Sequence, residues 1–302
     1  MNSRYFGVIG NRDHIKRHKG TEAEEKRPFW EYLDEHPTGW LTSITYKRED
    51  LPHTENMIYD CGAWSYKTMD VPPIDAKSAF EFYKEHAPDH CMCIAPDHML
   101  IDGVDLDFRR QWNYEQAARF LDLLPEHLTP MACVHGQTLD ERLKCAETLL
   151  ALGYGHLAIG GVAARAAQKK LTFALVAALR EETMGNYLHV LGLSSPEYAA
   201  KWETSGVDSF DGASHFKQAF TAGAFFTQTE HKLTKHRAAR PGEDIIAPEC
   251  FCTACDLLRR ENIDTRQYGS NENNMGRAAH NMNILIRAQK IAMNNPSVFN
   301  VK

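Results

Sequence analysis

The feature that most constrains this chain is an alternation of short, β-rich apolar runs with longer stretches of helical apolar spacing. Eight such runs occur, at Tyr5–Ile9, Trp40–Ile44, Met57–Tyr59, Met92–Ala95, Met131–Val134, His156–Ile159, Leu188–Leu191 and Val207–Phe210. Between several of them apolar residues recur at intervals of three and four, most clearly in Ala76–His86, Tyr114–Leu124, Leu139–Leu152 and Ala163–Glu182. Strands separated by helices pair in parallel, and eight such units in 302 residues fit a closed barrel better than an open sheet. The expected fold class is therefore α/β, a (β/α)8 TIM barrel. At 43% hydrophobic and 25% charged residues the composition supports a core of that size.

The residues at the ends of these runs are as informative as the runs themselves. YDCGAW at 59–64, LIDG at 100–103, VHG at 134–136, IGG at 159–161, LGLSSP at 191–196 and FDG at 210–212 are all rich in polar residues or glycine. In a barrel such strand ends converge on one face, where active sites sit and where small residues let a ligand approach the backbone. From about Phe220 the sequence turns polar, basic and irregular up to Cys250. We read residues 221–280 as a metal-binding insertion within a single barrel domain spanning 1–302, with a final helix over Arg277–Asn294.

The eight cysteines are too sparse for a disulfide scaffold, yet Cys250, Cys252 and Cys255 crowd into C-x-C-x-x-C. His280 comes 25 residues later, which completes three thiolates and one imidazole, the ligand set of tetrahedral zinc. Four protein ligands leave no open position, so the expected role of Zn2+ is structural. His231 and His236 are nearby alternatives for the imidazole, and an iron–sulfur site is the rival reading of the cysteines.

The net charge of -6 argues against nucleic-acid binding through bulk electrostatics, although the basic stretch His231–Arg240 can still track phosphates. No run approaches the roughly 18 to 20 apolar residues that span a bilayer, and the first residues lack a secretory apolar segment, so no membrane partner and a cytoplasmic location are expected.

Several of these segments, in this order, resemble the queuine-type tRNA-guanine transglycosylases. YDCGAW is similar to that family's general-base motif, LAIGGVA to its base-binding glycine turn, and HVLGLSSPE to the strand that precedes its nucleophile. GVDSFDGASHFKQAF at 206–220 is similar to the strand and loop that carry the nucleophilic aspartate, and C-x-C-x-x-C with a distal histidine to the zinc site. The resemblance runs from about residue 57 to the terminal helix. It implies that Asp211 attacks C1′ of a nucleoside to form a glycosyl ester, as in retaining glycosidases, and that Asp60 is the general acid and base. Two carboxylates at adjacent strand ends suit that division of labour, with Asp208 the competing nucleophile.

The same resemblance implies a purine pocket. Trp64 matches the stacking aromatic, Leu191 the opposite face, and the backbone of Gly160, Gly161 and Val162 one edge of the base. Asp102, after a strand at Met99–Ile101, would read the amino and ring N–H edge, with Asp97 and Asp105 as rivals. His135 stands where the family has glutamine. The tRNA enzymes place cysteine and P-T-R after their nucleophile, whereas GASHFKQAF comes after Asp211 here. With GNRDHIKR and the GWLTS segment near the start, the chain looks more like the branch, known from phages and bacterial modification clusters, that places 7-deazaguanine bases in DNA.

That branch implies guanine exchange for a preQ0-like base in DNA, with Lys235, Arg237, Arg240, Arg259 and Arg260 as candidate phosphate contacts. The related tRNA enzymes are commonly dimeric, so a homodimer is the candidate assembly although the C-terminal region differs from theirs, and the host cytoplasm is the expected location if the chain is phage-encoded. A tRNA-guanine transglycosylase is the same-chemistry alternative. A non-catalytic, zinc-stabilised nucleic-acid-binding subunit is the alternative of another class.

Overall fold

The computed structural model describes residues 3–298 apart from 12, 19, 47–49, 53, 230 and 231. Arg12 of the GNRDHIKR segment and His231, a candidate phosphate contact and metal ligand, lie outside the described residues. Eight parallel strands close a barrel: β1 (Arg4–Val8), β2 (Gly39–Ser43), β3 (Met57–Asp60), β4 (Met92–Ile94), β5 (Thr129–Val134), β6 (His156–Ile159), β7 (Tyr187–Val190) and β8 (Ser209–Gly212). Around the barrel each strand neighbours the next in sequence, and β8 closes on β1. All eight expected runs are strands, His156–Ile159 with the same bounds and the others within two residues at each end. The Met99–Ile101 run is not one. The chain leaves the sheet at Ala95–Pro96, because proline has no N–H to give to a ladder.

Helices α1 (Ala76–His86), α2 (Leu106–Leu123), α3 (Leu139–Leu152) and α4 (Lys169–Glu182) lie between successive strands from β3 to β7, and α5 (Pro196–Thr204) precedes β8. Their starts are set by caps. Asp75 and Thr138 form capping boxes with Ser78 and Glu141, and Asp105 accepts from Phe108 N–H. Each such cap stabilises its helix by about 1 kcal/mol. Helix α2 begins eight residues before the apolar periodicity does, since its first turns, LDFRRQWN, are mostly polar and only the cap marks them. Asp105 is therefore occupied as a helix cap. Inside the barrel Phe6, Leu41, Ile58, Met92, Ile94, Met131, Cys133 and Ala158 form one buried cluster.

The chain divides into two compact units, one of residues 1–10, 38–193 and 202–211 and the other of residues 11–37, 194–201 and 212–302. The barrel strands belong to the first, save Gly212 at the end of β8. The second holds an antiparallel hairpin of His14–Arg17 and Glu25–Pro28, helices α6 (Ser214–Thr221), α7 (Thr253–Arg260) and α8 (Asn271–Asn294), and a second hairpin of Ala224–Thr229 and Lys232–Arg237. The segment 221–280 lies in this unit. Its stretch after Phe220 is thus partly a hairpin, missed in the sequence because KLTKHR shows no apolar alternation.

Helix α8 starts six residues before Arg277 and is buried along most of its length, with polar side chains that hold irregular backbone. Arg277 donates to the carbonyls of Ala219, Thr265 and Gln267 at 2.8–3.0 Å, and Asn281 binds both Phe226 N–H and Ala224 C=O. Buried polar groups paired in this way contribute specificity as well as stability. Among the described residues no helix is long and apolar enough to cross a membrane.

Candidate active site

The ends of β3 to β8 bring one group of polar side chains together within the first unit. Asp60 ends β3, where it is partly exposed and accepts Gly62 N–H at 3.0 Å. Asp211 lies inside β8, 5% exposed, and its Oδ1 accepts from Gly192 N–H at 2.9 Å and faces His189 Nε2 at 3.2 Å. Among the described residues no donor is bonded to Asp211 Oδ2. Gly192 has φ +79°, and a Cβ there would lie 2.8 Å from that of Ala163, so the N–H that holds Asp211 needs glycine. The two carboxylates are not on adjacent strands as expected, since β1 and β2 stand between β8 and β3. Both lie toward the C-terminal ends of their strands, and the charge of Asp211 is felt at Asp60.

Asp97, just beyond β4, joins this group. Its Oδ2 lies 2.5 Å from His135 Nε2, and its Oδ1 accepts from the Cys61 thiol at 2.7 Å. Burial, and then the charges of Asp97 and Asp60, push the Cys61 thiol up, so it stays a donor. Asp102, the residue expected at the purine edge, is not brought in. It sits exposed in the turn before α2, 3.3 Å from Gln137 Nε2. Asp97, its named rival, takes the buried position. Asp208, the rival nucleophile, is tied to Arg180 at 2.9 Å and to Leu188 N–H at 2.8 Å.

Burial, then the charge of Asp97 and, after it, that of Asp211, raise the Asp60 carboxyl from 3.8 to about 7. A carboxyl near 7 can both give and take a proton at neutral pH.

The remaining expected residues line the same strand ends. The His135 ring lies so close to Gly160 that a Cβ there would stand 2.9 Å from Cε1. Gly161 is next, with φ +71°, and Val162 after it is fully buried. Leu191 packs on the barrel core. Trp64 is 60% exposed, with the Lys67 ammonium 3.3 Å from its ring centroid. A cavity of about 400 Å³ opens beside His135, between Tyr114 and Lys144.

Sequence reading missed two supporting residues. Arg142 on α3 is buried and donates to Gly160 C=O at 2.8 Å and Val134 C=O at 3.3 Å, which fixes the turns after β5 and β6. The signal for it is a charge within the apolar stripe of α3. His189 shares the alternation of Tyr187 and Leu191 along β7, and that period was the available clue.

The Cys3His cluster belongs to the second unit. The donor atoms of Cys250, Cys252, Cys255 and His280 lie within 4.8 Å of one another. His280 Nδ1 is 3.4 Å from the Sγ atoms of Cys252 and Cys255, while its Nε2 donates to Phe226 C=O at 2.7 Å, which turns Nδ1 toward the thiols. Phe225 stacks on the ring at 3.9 Å. This cluster could hold a metal ion, and three sulfurs with one imidazole nitrogen suit tetrahedral zinc. Asp97, Cys133 and His135 also approach one another within 4.8 Å. There, however, burial and the charge of Asp97 push the Cys133 thiol up, and Asp97 is already bonded at both oxygens. The hydrogen bond between Asp97 and His135 accounts for the closeness of those two groups.

Lys235, Arg237, Arg240, Arg259 and Arg260 lie in the second unit. Lys235 binds Gln218 at 3.2 Å, Arg237 pairs with Glu243 at 2.9 Å and Arg259 with Glu249 at 3.4 Å.

A closed parallel barrel with carboxylates at its strand ends, together with a Cys3His cluster, defines the class as a TIM-barrel protein with a strand-end acid pair. Residues 111–290, more than half of the chain, match the queuine tRNA-ribosyltransferase family, and the chain belongs to it. The matched segment carries Asp211, His135, the glycine turn and the metal cluster, whereas Asp60, Trp64 and Asp97 precede it. The chain is also similar to a DNA-guanine transglycosylase of Salmonella montevideo, 28% identical over 184 residues, which is 56% of this chain and 43% of that protein.

Proposed function

We propose that this chain exchanges guanine in DNA for a 7-deazaguanine base such as preQ0. The observation that carries the reading is a pair of strand-end carboxylates of one barrel, Asp211, fixed at one oxygen by Gly192 and His189, and Asp60, raised to about 7 by burial and the charge of Asp97. Asp211 Oδ2 forms a bond to C1′ of the target nucleotide as the C1′–N9 bond breaks. The bonding pair leaves on guanine, which takes the Asp60 proton. The incoming base then returns a proton to Asp60 as its nitrogen attacks C1′, and the Asp211 ester bond breaks. The target must leave the helical stack to reach strand ends inside a barrel.

Asp97 and His135 read one edge of the base, and the backbone of Gly160, Gly161 and Val162 reads the other. Trp64 and Leu191 cover its faces. Zinc on Cys250, Cys252, Cys255 and His280 supplies a structural crosslink and no step of the reaction. The basic residues of the second unit contact phosphates, and a cytoplasmic homodimer belongs to the same reading. DNA is preferred to tRNA by the altered residues after Asp211 and by the likeness to a protein named for DNA. The family description favours tRNA as the second reading.

Incorporation of labelled preQ0 into matched DNA and tRNA, with Asp211→Ala as control, tests this. Label in DNA only is the expected result. Label in tRNA only moves the chain to the second reading, and label in neither from a folded, zinc-loaded sample contradicts both.

A further inference from the structure

We infer that His189 is the positioning residue of the nucleophile, held as its Nε2–H tautomer by a one-directional hydrogen-bonded relay that runs from Arg4 through Tyr187 and Ser209 to Asp211. The inference rests on the reading of Asp211 as nucleophile.

The direction of the relay is fixed at its far end. A guanidinium only donates, so Arg4 Nη2–H points at the Tyr187 hydroxyl oxygen 2.9 Å away. Burial pushes the Tyr187 phenol up, so it keeps a proton, which goes to Ser209 Oγ at 2.6 Å. Ser209 then has its own hydrogen to give, and His189 Nδ1 lies 2.6 Å from Oγ. Nδ1 must accept it. The ring hydrogen is left on Nε2, which donates to Asp211 Oδ1 at 3.2 Å. Reversing any link would oppose two hydrogens or strand a hydroxyl proton. His189 and Ser209 are both fully buried, and the Phe6 ring meets the imidazole edge-on at 6.0 Å.

The consequence is asymmetry in one carboxylate. Gly192 N–H and His189 Nε2–H both bind Oδ1, so the group cannot rotate and Oδ2 is the oxygen left to attack. Successive donors polarise one another toward that carboxylate. Orientation of this kind is worth much in rate, since a displacement of about 1 Å can cost about a hundredfold. The bonded neighbours of His189 are Ser209 and Asp211, so it stands apart from the Asp97–His135 pair.

Two measurements on the zinc-loaded full chain test the relay. The first reads the His189 tautomer by ring 15N–1H correlation at neutral pH, with the signal assigned by its loss in His189→Gln. The Nε2–H form is expected. An Nδ1–H form or an imidazolium overturns the relay, and because no turnover is involved this holds whether or not the DNA reading survives. The second compares exchange kinetics in Tyr187→Phe and Ser209→Ala, which remove only hydroxyls. The expected result is a fall in kcat of about tenfold or more for Ser209→Ala and less for Tyr187→Phe, with KM for the base unchanged. His189→Gln, whose amide can still donate to Oδ1, is expected to keep more kcat than His189→Leu. Equal kcat in wild type and Ser209→Ala, in an active enzyme, overturns the relay and leaves the transglycosylase reading standing.

Discussion

The metal cluster and the carboxylate site are assembled in opposite ways. Three of the four sulfur and nitrogen donors come from a six-residue stretch, and the fourth sits on α8, held by one backbone carbonyl behind its ring. The carboxylate site takes Asp60, Asp97, His135, His189 and Asp211 from five strands or strand ends, and the bonded pair Asp97 and His135 are 38 residues apart. Local spacing therefore specifies the first, whereas only closure of the barrel specifies the second. The first should respond to loss of any one donor as a unit, and the second should lose function side chain by side chain without losing the fold.

The largest expected effect breaks the chemistry and spares the barrel. Asp211→Asn should lower the exchange rate by on the order of 10⁴-fold, as loss of a covalent nucleophile does, with the melting temperature close to wild type. A loss under tenfold would remove Asp211 from that role. Chelation should do the reverse to the other region. Structural zinc sites supply on the order of 10 kcal/mol of apparent binding energy, so a chelator or Cys255→Ala should open the second unit to proteolysis and lower the melting temperature. Unchanged melting after verified metal loss would contradict the structural role.

Asp60→Asn should cost about 10²- to 10⁴-fold in exchange at pH 7. Its proton also sets the pH profile. Exchange should fall as pH rises through about 7, because departure of guanine needs the acid form. Asp97→Asn removes the second cause of the raised value, after burial, and should move that limb to lower pH. A rate profile with an unmoved limb would show that Asp97 does not act on Asp60.

The same group makes a smaller, thermodynamic prediction. Its folded value, about 7, lies above the ordinary 3.8, so the folded chain binds this proton more tightly and the associated stability is lost as pH climbs from about 4 through about 7. Asp60→Asn should therefore melt above wild type at pH 8, with the gap closing near pH 4. Thermal unfolding at the two pH values checks it. Smallest of all, Asp102→Ala should leave KM for the base within about twofold, since an exposed turn carboxylate has little to lose, whereas Asp97→Ala should raise it markedly. Equal effects of the two would return Asp102 to the pocket.

The contrast also explains what could be read without coordinates. The barrel strands were legible because each is an apolar run bounded by polar or glycine residues, and the metal ligands because C-x-C-x-x-C is a local pattern. The choice between Asp97 and Asp102 was not legible. Both come after apolar runs, and only the early exit of the chain at Pro96 decides which is at the strand end. The hairpin at 224–237 escaped because one of its strands is built from lysine, threonine, histidine and arginine. The role of Arg142 depends on which carbonyls two distant turns leave unpaired, which no single segment carries.

The most direct test of the account is to incubate the full chain with guanine-containing DNA in the absence of an incoming base, denature it, and measure the intact mass and the modified residue. A DNA adduct on Asp211, absent in Asp211→Asn and released by preQ0, is the predicted result. An exchange-competent enzyme that forms no adduct, or an adduct that persists in Asp211→Asn, would contradict it.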